Sequence, residues 1–227
     1  MTRAAIFDLD DTLYPRVRFL QSGFAAVARY LSRTHALDAP AVYRALWRAY
    51  GTARGHEFQA LSAEYGLSAA TVPALVEVLR AHVPTLWPSH GAVETLTRLR
   101  AHGWRLAILT NGPPAVQAAK VRALGLAPLV DDVVYAEAVT PGGKPGSAAF
   151  EEALWRLQVP AARAVCVGDD PVRDVLGARR TGLHTIRITT LVPPCPPGED
   201  ADIVVGALAD VPAAAATLVE GTMAHVA

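Results

Sequence analysis

Cysteine, lysine and asparagine are scarce in this chain of 227 residues, and the formal net charge is zero. Two cysteines in a chain of this length do not build a disulfide framework or a cysteine metal cluster. Equal numbers of basic and acidic residues give no bulk attraction to nucleic acid or to anionic membranes. No apolar run reaches the roughly 20 residues of a transmembrane helix, and the N-terminus shows no signal-peptide pattern. These absences predict a cytoplasmic protein with no nucleic-acid or membrane partner.

The apolar residues, which make up 52% of the chain, follow two different patterns. Residues 4–7 form a short apolar run that predicts a buried strand, and from about Tyr14 apolar residues recur at helical spacing. Pro84 and Pro88 then mark a break. After the break, predicted helices alternate with predicted strands at 104–109, 133–135, 164–167, 184–188 and 203–205. This alternation predicts an α/β fold with a doubly wound, Rossmann-like parallel sheet.

The helical segment is predicted to be an insert in that sheet domain. The first strand has to join the sheet, because one strand alone cannot bury itself. We therefore expect residues 1–13 and 89–227 to form the α/β core and residues 14–88 to form an all-helical cap. An insert in this position can act as a lid that gates a site.

Polar side chains follow the predicted strands, at the edge where open parallel sheets bind their ligands. They are Asp8 and Asp10 after the first strand, Thr110 and Asn111 after the second, Lys144 after the third, and Asp169 and Asp174 after the fourth. Carboxylates that share one crevice repel each other unless a cation lies among them, and Mg²⁺ prefers oxygen ligands. Asp8, Asp169 and Asp174 can supply such oxygens, and Lys144 can supply a second positive charge.

The spacing of these residues suits phosphoryl transfer. Asp8 and Asp10 are two residues apart, which on a strand places both carboxylates on one side. One can attack phosphorus as a nucleophile, and the other can protonate the leaving oxygen and later activate water. Thr110, a backbone N–H and Lys144 can hold the phosphoryl oxygens. Only Lys120 and Lys144 are lysines among 21 basic residues, so a lysine in this loop favours a functional role.

Four short motifs in this order resemble the haloacid dehalogenase superfamily of aspartate-nucleophile phosphotransferases. They are Asp8-Leu9-Asp10-Asp11-Thr12, Thr110-Asn111-Gly112, Gly143-Lys144-Pro145, and Gly168-Asp169-Asp170 followed by Asp174. With the helical insert they span almost the whole chain. The position of the insert resembles the helical cap of the subgroup whose cap follows the first motif.

The resemblance implies a Mg²⁺-dependent phosphatase that hydrolyses a small phosphomonoester through an aspartyl phosphate. It implies that Asp8 is the nucleophile and Asp10 the general acid and base. Phosphate binding then falls to Thr110, Asn111 and Lys144. The implied Mg²⁺ ligands are Asp8, the Asp10 carbonyl, Asp169 and, directly or through water, Asp174.

A second, finer resemblance concerns the substrate. Residues 13–15 and 50–55 are similar to pyrimidine 5′-nucleotidase-like members, although His56 departs from the apolar residue expected after Gly55. A nucleoside monophosphate and a sugar phosphate are both open as substrates. The sequence identifies neither the physiological substrate, nor the cap residues that set specificity, nor the oligomeric state.

Other functions were weighed against the same residues. A phosphosugar mutase uses the same core residues and differs in its cap. A 2-haloacid dehalogenase needs neither a metal nor a second carboxylate, so Asp10 favours phosphoryl transfer. A receiver-type signalling domain carries its nucleophile on a middle strand and lacks a large insert. A non-catalytic binding protein is disfavoured because no core position is lost.

Overall fold

A parallel sheet of six strands carries the fold within residues 2–189 and 201–221, which are the residues that the computed structural model describes. In chain order the strands are β1 (Arg3–Phe7), β2 (Trp104–Thr110), β3 (Asp132–Tyr135), β4 (Ala164–Gly168), β5 (His184–Ile188) and β6 (Ile203–Val205). Their order across the sheet is β3-β2-β1-β4-β5-β6, and every neighbouring pair is parallel. The predicted doubly wound parallel sheet is confirmed.

Helices connect the strands. They are α1 (Val17–His35), α2 (Ala39–Thr52), α3 (Glu57–Glu64), α4 (Thr71–Ala81), α5 (Ala92–Ala101), α6 (Pro114–Ala123), α7 (Ala136–Val139), α8 (Ser147–Leu157), α9 (Gly177–Arg180) and α10 (Val211–Gly221). Five of them lie between β1 and β2, which confirms a helical insert after the first strand. A π-helical turn at Pro171–Leu176 leads into α9, so the single helix predicted from about residue 171 to 180 is divided. None of the described helices is long and apolar enough to cross a membrane.

The segment Val17–Leu86 forms one compact unit, and the described residues on either side of it form the other. Within this helical unit, the apolar stripe that predicts α1 is its buried face, with Leu20, Phe24, Val27 and Leu31 inside. The domain bounds predicted for the α/β core, 1–13 with 89–227, and for the helical cap, 14–88, stay a prediction.

Both faces of the sheet are covered. On one face, alternate residues such as Ile6 and Cys166 pack into a cluster with Phe150 of α8 and Ala178 of α9. Helices α5 and α10 also contact the strands, and their buried residues lie outside this cluster, which places them on the second face. Strands covered on both faces read as continuous apolar runs, which explains why residues 4–7 are apolar without alternation.

The strand order changes direction between β1 and β4. From β1 the chain builds β2 and β3 on one side, and from β4 it builds β5 and β6 on the other. Such a switch point opens a crevice at the carboxyl ends of the two central strands. The backbone N–H of Asp8 donates to the carbonyl of Val167 at 2.9 Å, so the residues that follow β1 and β4 begin side by side.

Candidate active site

Asp8, the first residue after β1, is held by a lysine from the loop between α7 and α8. Lys144 Nζ donates to Asp8 Oδ1 and to Asp174 Oδ1, each at 2.6 Å, and all three residues are buried. Burial by itself would lower the pKa of Lys144, but the charges of Asp174 and Asp8 raise this pKa above its ordinary value. The lysine therefore stays cationic between the two carboxylates.

Asn111 sets the position of that lysine. Its Oδ1 accepts from the backbone N–H of Lys144 and its Nδ2 donates to the carbonyl of Lys144, both at 2.9 Å. Gly143 permits this approach, because its φ is +57° and a Cβ at this position would lie 2.6 Å from Asn111 Oδ1. The side chain of Asn111 thus joins two loops, and the predicted phosphate binding by Asn111 stays a prediction.

Asp174 returns to the end of β4 through the π-helical turn. Asp170 caps the start of this turn, because its Oδ1 accepts from the backbone N–H groups of Val172 and Arg173 at 2.9 and 2.8 Å. The backbone N–H of Asp170 donates to Asp174 Oδ2 at 3.1 Å. Gly168 leaves space for this carboxylate, because a Cβ at this position would collide with it. The turn and the glycine together bring Asp174 back beside Asp169.

Asp8, Asp169 and Asp174 bring one carboxylate oxygen each to within 4.8 Å of one another. Burial raises the pKa of Asp8 well above its ordinary value, since the attraction of Lys144 does not offset burial together with the charges of Asp174 and Asp169. Burial and the charges of Asp174 and Asp11 raise the pKa of Asp169 to about 7. Three hard oxygen donors this close, two of which share one lysine, fit a divalent cation such as Mg²⁺.

Asp10 has partners of its own. Lys120 Nζ lies 2.8 Å from both carboxylate oxygens, Tyr14 donates to Oδ1 at 2.5 Å, and Gln117 Nε2 donates to Oδ2 at 2.9 Å. Burial by itself would raise the pKa of Asp10, but the charge of Lys120 and the hydrogen bonds from Lys120, Tyr14 and Gln117 lower it. The environment of Asp10 therefore favours a carboxylate, whereas the environment of Asp8 disfavours one.

Asp8 and Asp10 do not lie on a strand, because β1 ends at Phe7, so strand alternation does not set the directions of their side chains. The chain turns directly after Asp8: Asp10 and Tyr14 form an isolated bridge, and Asp11 has a φ of +64°. The tight turn after the strand, and not the period of a strand, decides which partners each carboxylate reaches.

Thr110, the last residue of β2, is buried, and its Oγ1 accepts from Gln117 Nε2 at 2.5 Å. The predicted residues thus fall into two groups: Asp8, Lys144, Asp169 and Asp174 contact or approach one another, and Asp10 is joined to Thr110 through Gln117.

The predicted site omits three residues that contact Asp10, namely Tyr14, Gln117 and Lys120. A signal for two of them is present in the sequence. Lys120 is one of only two lysines, and Gln117 precedes it by three residues on the helix that follows Thr110. That spacing puts both side chains on one helical face.

The sequence profile of the haloacid dehalogenase-like hydrolases matches residues 2–182, so the chain belongs to this family. A glyceraldehyde 3-phosphate phosphatase from Methanopyrus kandleri is 32% identical over 200 residues, covering 83% of this chain and 84% of the relative. A ribulose-1,5-bisphosphate 5-phosphatase from Halopiger xanaduensis is 34% identical over 206 residues, covering 82% and 84%. The chain is a phosphatase of this family with a helical cap region after its first strand.

Solved structures agree on the fold. The HAD-hydrolase YfnB from Bacillus subtilis, determined with bound magnesium, matches with a TM-score of 0.68. The match covers 94% of this chain and 98% of that chain at 24% sequence identity. The similarity extends to nearly the full length of both proteins and therefore includes the helical insert.

Proposed function

We propose that this phosphatase hydrolyses a small phosphomonoester through a phosphoaspartate formed on Asp8, with Mg²⁺ bound. The observation that carries this proposal is a pair of carboxylates at one strand end, each paired with a different buried lysine. Asp8 shares Lys144 with Asp174, while Asp10 is bound by Lys120. The pKa of Asp8 is raised, so Mg²⁺ bound beside it would favour the carboxylate that attacks phosphorus, and the pKa of Asp10 is lowered, so it has to take up a proton before it acts as an acid.

Asp8 is the nucleophile in this proposal. One oxygen of its carboxylate forms a bond to phosphorus as the bond between phosphorus and the ester oxygen of the substrate breaks. The negative charge of the bound phosphate raises the pKa of Asp10, so Asp10 takes up a proton from solvent, gives it to that ester oxygen, and the alcohol leaves as a neutral molecule. Asp10, now a carboxylate, then takes a proton from the water that attacks the phosphorus. Phosphate leaves, and the Asp8 carboxylate is restored.

In this proposal, three groups hold the phosphoryl oxygens. Lys144 contributes its positive charge, and Asn111 contributes its backbone N–H. The Thr110 hydroxyl accepts from Gln117, which leaves its own O–H as a donor toward the phosphate. All three groups come from the ends of strands or from the loops that follow them.

Asp8, Asp169 and Asp174, with the backbone carbonyl of Asp10, are the residues that would hold Mg²⁺. Their fit rests on the three carboxylate oxygens within 4.8 Å of one another. When bound, the ion neutralises negative charge on the phosphate and on the crowded carboxylates. Lys144 alone pairs with only two of these three acids.

A small phosphorylated sugar is the substrate class that we propose, because the two relatives described above act on glyceraldehyde 3-phosphate and on ribulose 1,5-bisphosphate. The resemblance of residues 13–15 and 50–55 to nucleotidases stays a prediction. A panel that holds phosphosugars and nucleoside monophosphates at equal concentration separates the two classes by kcat/KM.

The first experiment measures phosphate release from 4-nitrophenyl phosphate, with Mg²⁺ and with EDTA. The wild type, Asp8→Asn and Asp38→Asn are compared. Asp38 caps α2 through its side-chain oxygen, which asparagine retains, so Asp38→Asn is a matched change outside the carboxylate cluster. We expect Mg²⁺-dependent release by the wild type and by Asp38→Asn, and none by Asp8→Asn.

Turnover that survives in Asp8→Asn would exclude the phosphoaspartate. If the wild type releases no phosphate from the aryl ester or from the panel, hydrolysis itself is excluded. A phosphosugar mutase or a binding protein would then be the better interpretation. A mutase would also convert one phosphosugar into its isomer, which is detected by chromatography of the same reaction.

A further inference from the structure

Helix α6 places two polar side chains in the interior, next to the acid and base proposed above. Gln117 and Lys120 are three residues apart on one helical face and are 1% and 5% exposed. Lysine and glutamine are rarely buried to this degree unless each polar atom has a partner. The partner that both side chains share is the carboxylate of Asp10.

The carboxylate of Asp10 is held on both oxygens. Oδ1 accepts from Tyr14 and Lys120, and Oδ2 accepts from Gln117 and Lys120. Contacts on both oxygens hold the carboxylate in one rotational setting. Lys120 is the one member that contacts both oxygens, and its removal would free the group to turn about its side-chain bonds.

Gln117 connects this carboxylate to the site that holds phosphate. Its Nε2 lies 2.9 Å from Asp10 Oδ2 and 2.5 Å from Thr110 Oγ1. Gly112 lies beside the side chain of Gln117, and its φ of +119° is a backbone conformation that favours glycine. The acid and base and the phosphate-binding hydroxyl are therefore set relative to each other by one amide.

The buried ion pair of Lys120 and Asp10 is not explained well by a need for folding stability. A buried ion pair is often no better for folding than apolar residues of the same volume. The cluster of Lys120, Gln117 and Tyr14 is directed at one carboxylate that reacts, whereas a purely structural pair can lie anywhere in the core. A fixed carboxylate transfers protons faster, because orientation lowers the entropic cost of reaching the transition state.

We propose that Lys120, assisted by Gln117, is a positioning residue that holds the Asp10 carboxylate in line with both the departing oxygen and the attacking water. This inference rests on the phosphatase function proposed above. It predicts a defect confined to the steps in which Asp10 moves a proton, with attack by Asp8 on phosphorus left intact.

Two substrates of nearly equal shape expose that defect. The 4-nitrophenolate ion is a stable leaving group that needs little protonation, whereas 4-nitrobenzyl phosphate must lose an alkoxide-like group that needs an acid. We expect Lys120→Met to lower kcat/KM for 4-nitrobenzyl phosphate about 10²-fold more than for 4-nitrophenyl phosphate. Gln117→Met should change the same ratio in the same direction, by about tenfold.

A rapid-mixing experiment tests the second proton transfer. With 4-nitrophenyl phosphate, Lys120→Met still phosphorylates Asp8 but lacks a well-placed base for the water. We expect a burst of nitrophenolate of about one equivalent per chain, followed by slow turnover. A variant that is merely misfolded would show a smaller burst and equal losses on both substrates.

Arg122→Met is the matched control, because it removes an exposed cation two residues further along the same helix. The positioning role is overturned if Lys120→Met loses kcat/KM equally on both substrates, or if it behaves like Arg122→Met. Either result leaves the phosphatase function intact. If thermal melting shows that Lys120→Met does not fold, the ratio for Gln117→Met decides. Failure of the proposed phosphatase function gives a different result, because the wild type would then lack activity or Asp8→Asn would retain it.

Discussion

The two lysines of this chain each bind an aspartate of the same site, and the two pairs differ in what surrounds them. Lys144 serves both Asp8 and Asp174, and these acids have Asp169 as a further negative neighbour. Lys120 contacts both carboxylate oxygens of Asp10, and two neutral donors assist it. Lys144 supplies one positive charge among three carboxylates, whereas the one charge of Lys120 matches the one charge of Asp10. A cation from solution is therefore expected at the first pair and has no place at the second.

The opposite pKa shifts of Asp8 and Asp10 show that pairing with a lysine does not by itself set the behaviour of a carboxylate. Asp8 is buried and Asp10 is half-buried, and both contact an ammonium group within 2.8 Å. The pKa of Asp8 is raised because burial and the charges of Asp174 and Asp169 outweigh the attraction of a lysine that it shares. The pKa of Asp10 is lowered because the charge of Lys120 and the hydrogen bonds from Lys120, Tyr14 and Gln117 outweigh burial.

Asp10→Asn is expected to have the largest effect. The amide neither donates an acidic proton nor accepts one from water, so turnover should fall about 10²- to 10⁴-fold. Asp8 remains a nucleophile, and mass spectrometry after mixing with 4-nitrophenyl phosphate should detect phosphorylated protein. A turnover within about threefold of the wild type would remove Asp10 from its proposed role.

Lys144→Met tests the cluster in which one lysine is shared by Asp8 and Asp174. Asp8 and Asp174 would be left buried without their cation, and in EDTA the free energy of unfolding should fall by about 3–5 kcal/mol. Mg²⁺ should restore part of this loss, because binding to the folded state alone stabilises it. Urea unfolding with and without Mg²⁺ measures both effects.

The matched control for that measurement is Lys120→Met, in which Asp10 keeps its donors from Tyr14 and Gln117. Its loss of stability should be smaller and should not respond to Mg²⁺. If Mg²⁺ stabilises both variants alike, the Lys144 and Lys120 sites do not differ in their need for a metal ion, and the contrast drawn above is wrong.

Asn111→Ala should have an intermediate effect. It removes two hydrogen bonds to the backbone of Lys144 and should lower the free energy of unfolding by about 1–3 kcal/mol. KM should rise, because the loop that carries the lysine is no longer joined to the loop after β2. Thr97→Ala is the control, since its hydroxyl is exposed and bonds only a carbonyl of its own helix, and it should cost less than about 0.5 kcal/mol.

Asp202→Asn gives the smallest effect and concerns a carboxylate with a purely structural setting. Burial by itself would raise the pKa of Asp202, but hydrogen bonds from Thr185 and Arg179 lower it below the ordinary 3.8. The stabilisation is therefore present above the unfolded pKa and is lost as the pH falls through the folded one. Because Asp202 is exposed, water screens it, and the effect should stay below about 1 kcal/mol.

Urea unfolding at pH 7 and near pH 3 tests that prediction. Wild type should be more stable than Asp202→Asn at pH 7, and the two should converge near pH 3. A difference that grows on acidification would show that the pKa of Asp202 is raised in the folded state.

Much of the fold could be predicted because the spacing of apolar residues within a short segment indicates which of its faces is buried. The apolar run at 4–7, the helical spacing on α1 and the strand at Ile203–Val205 all follow from which faces are covered. The π-helical turn was missed because a widened turn and an α-helix share nearly the same apolar pattern.

The residues at the strand ends could also be found from the sequence, since chain order and motif spacing bring acids and Lys144 to one edge of a parallel sheet. Their individual contacts could not. Asn111 appears in the sequence as an isolated polar residue, and only the approach of the Gly143 loop shows that it binds the backbone of Lys144.

The sequence by itself determined the parallel sheet, the helical insert and the family to which the chain belongs, because periodicity and short motifs need no knowledge of distant contacts. The tertiary structure alone decided which lysine serves which aspartate. Lys120 and Asp10 are 110 positions apart, and their contact depends on a turn after β1 and on the face that α6 presents. Hydrogen bonds act over a few ångströms, so pairings between distant residues appear only once the loops are folded.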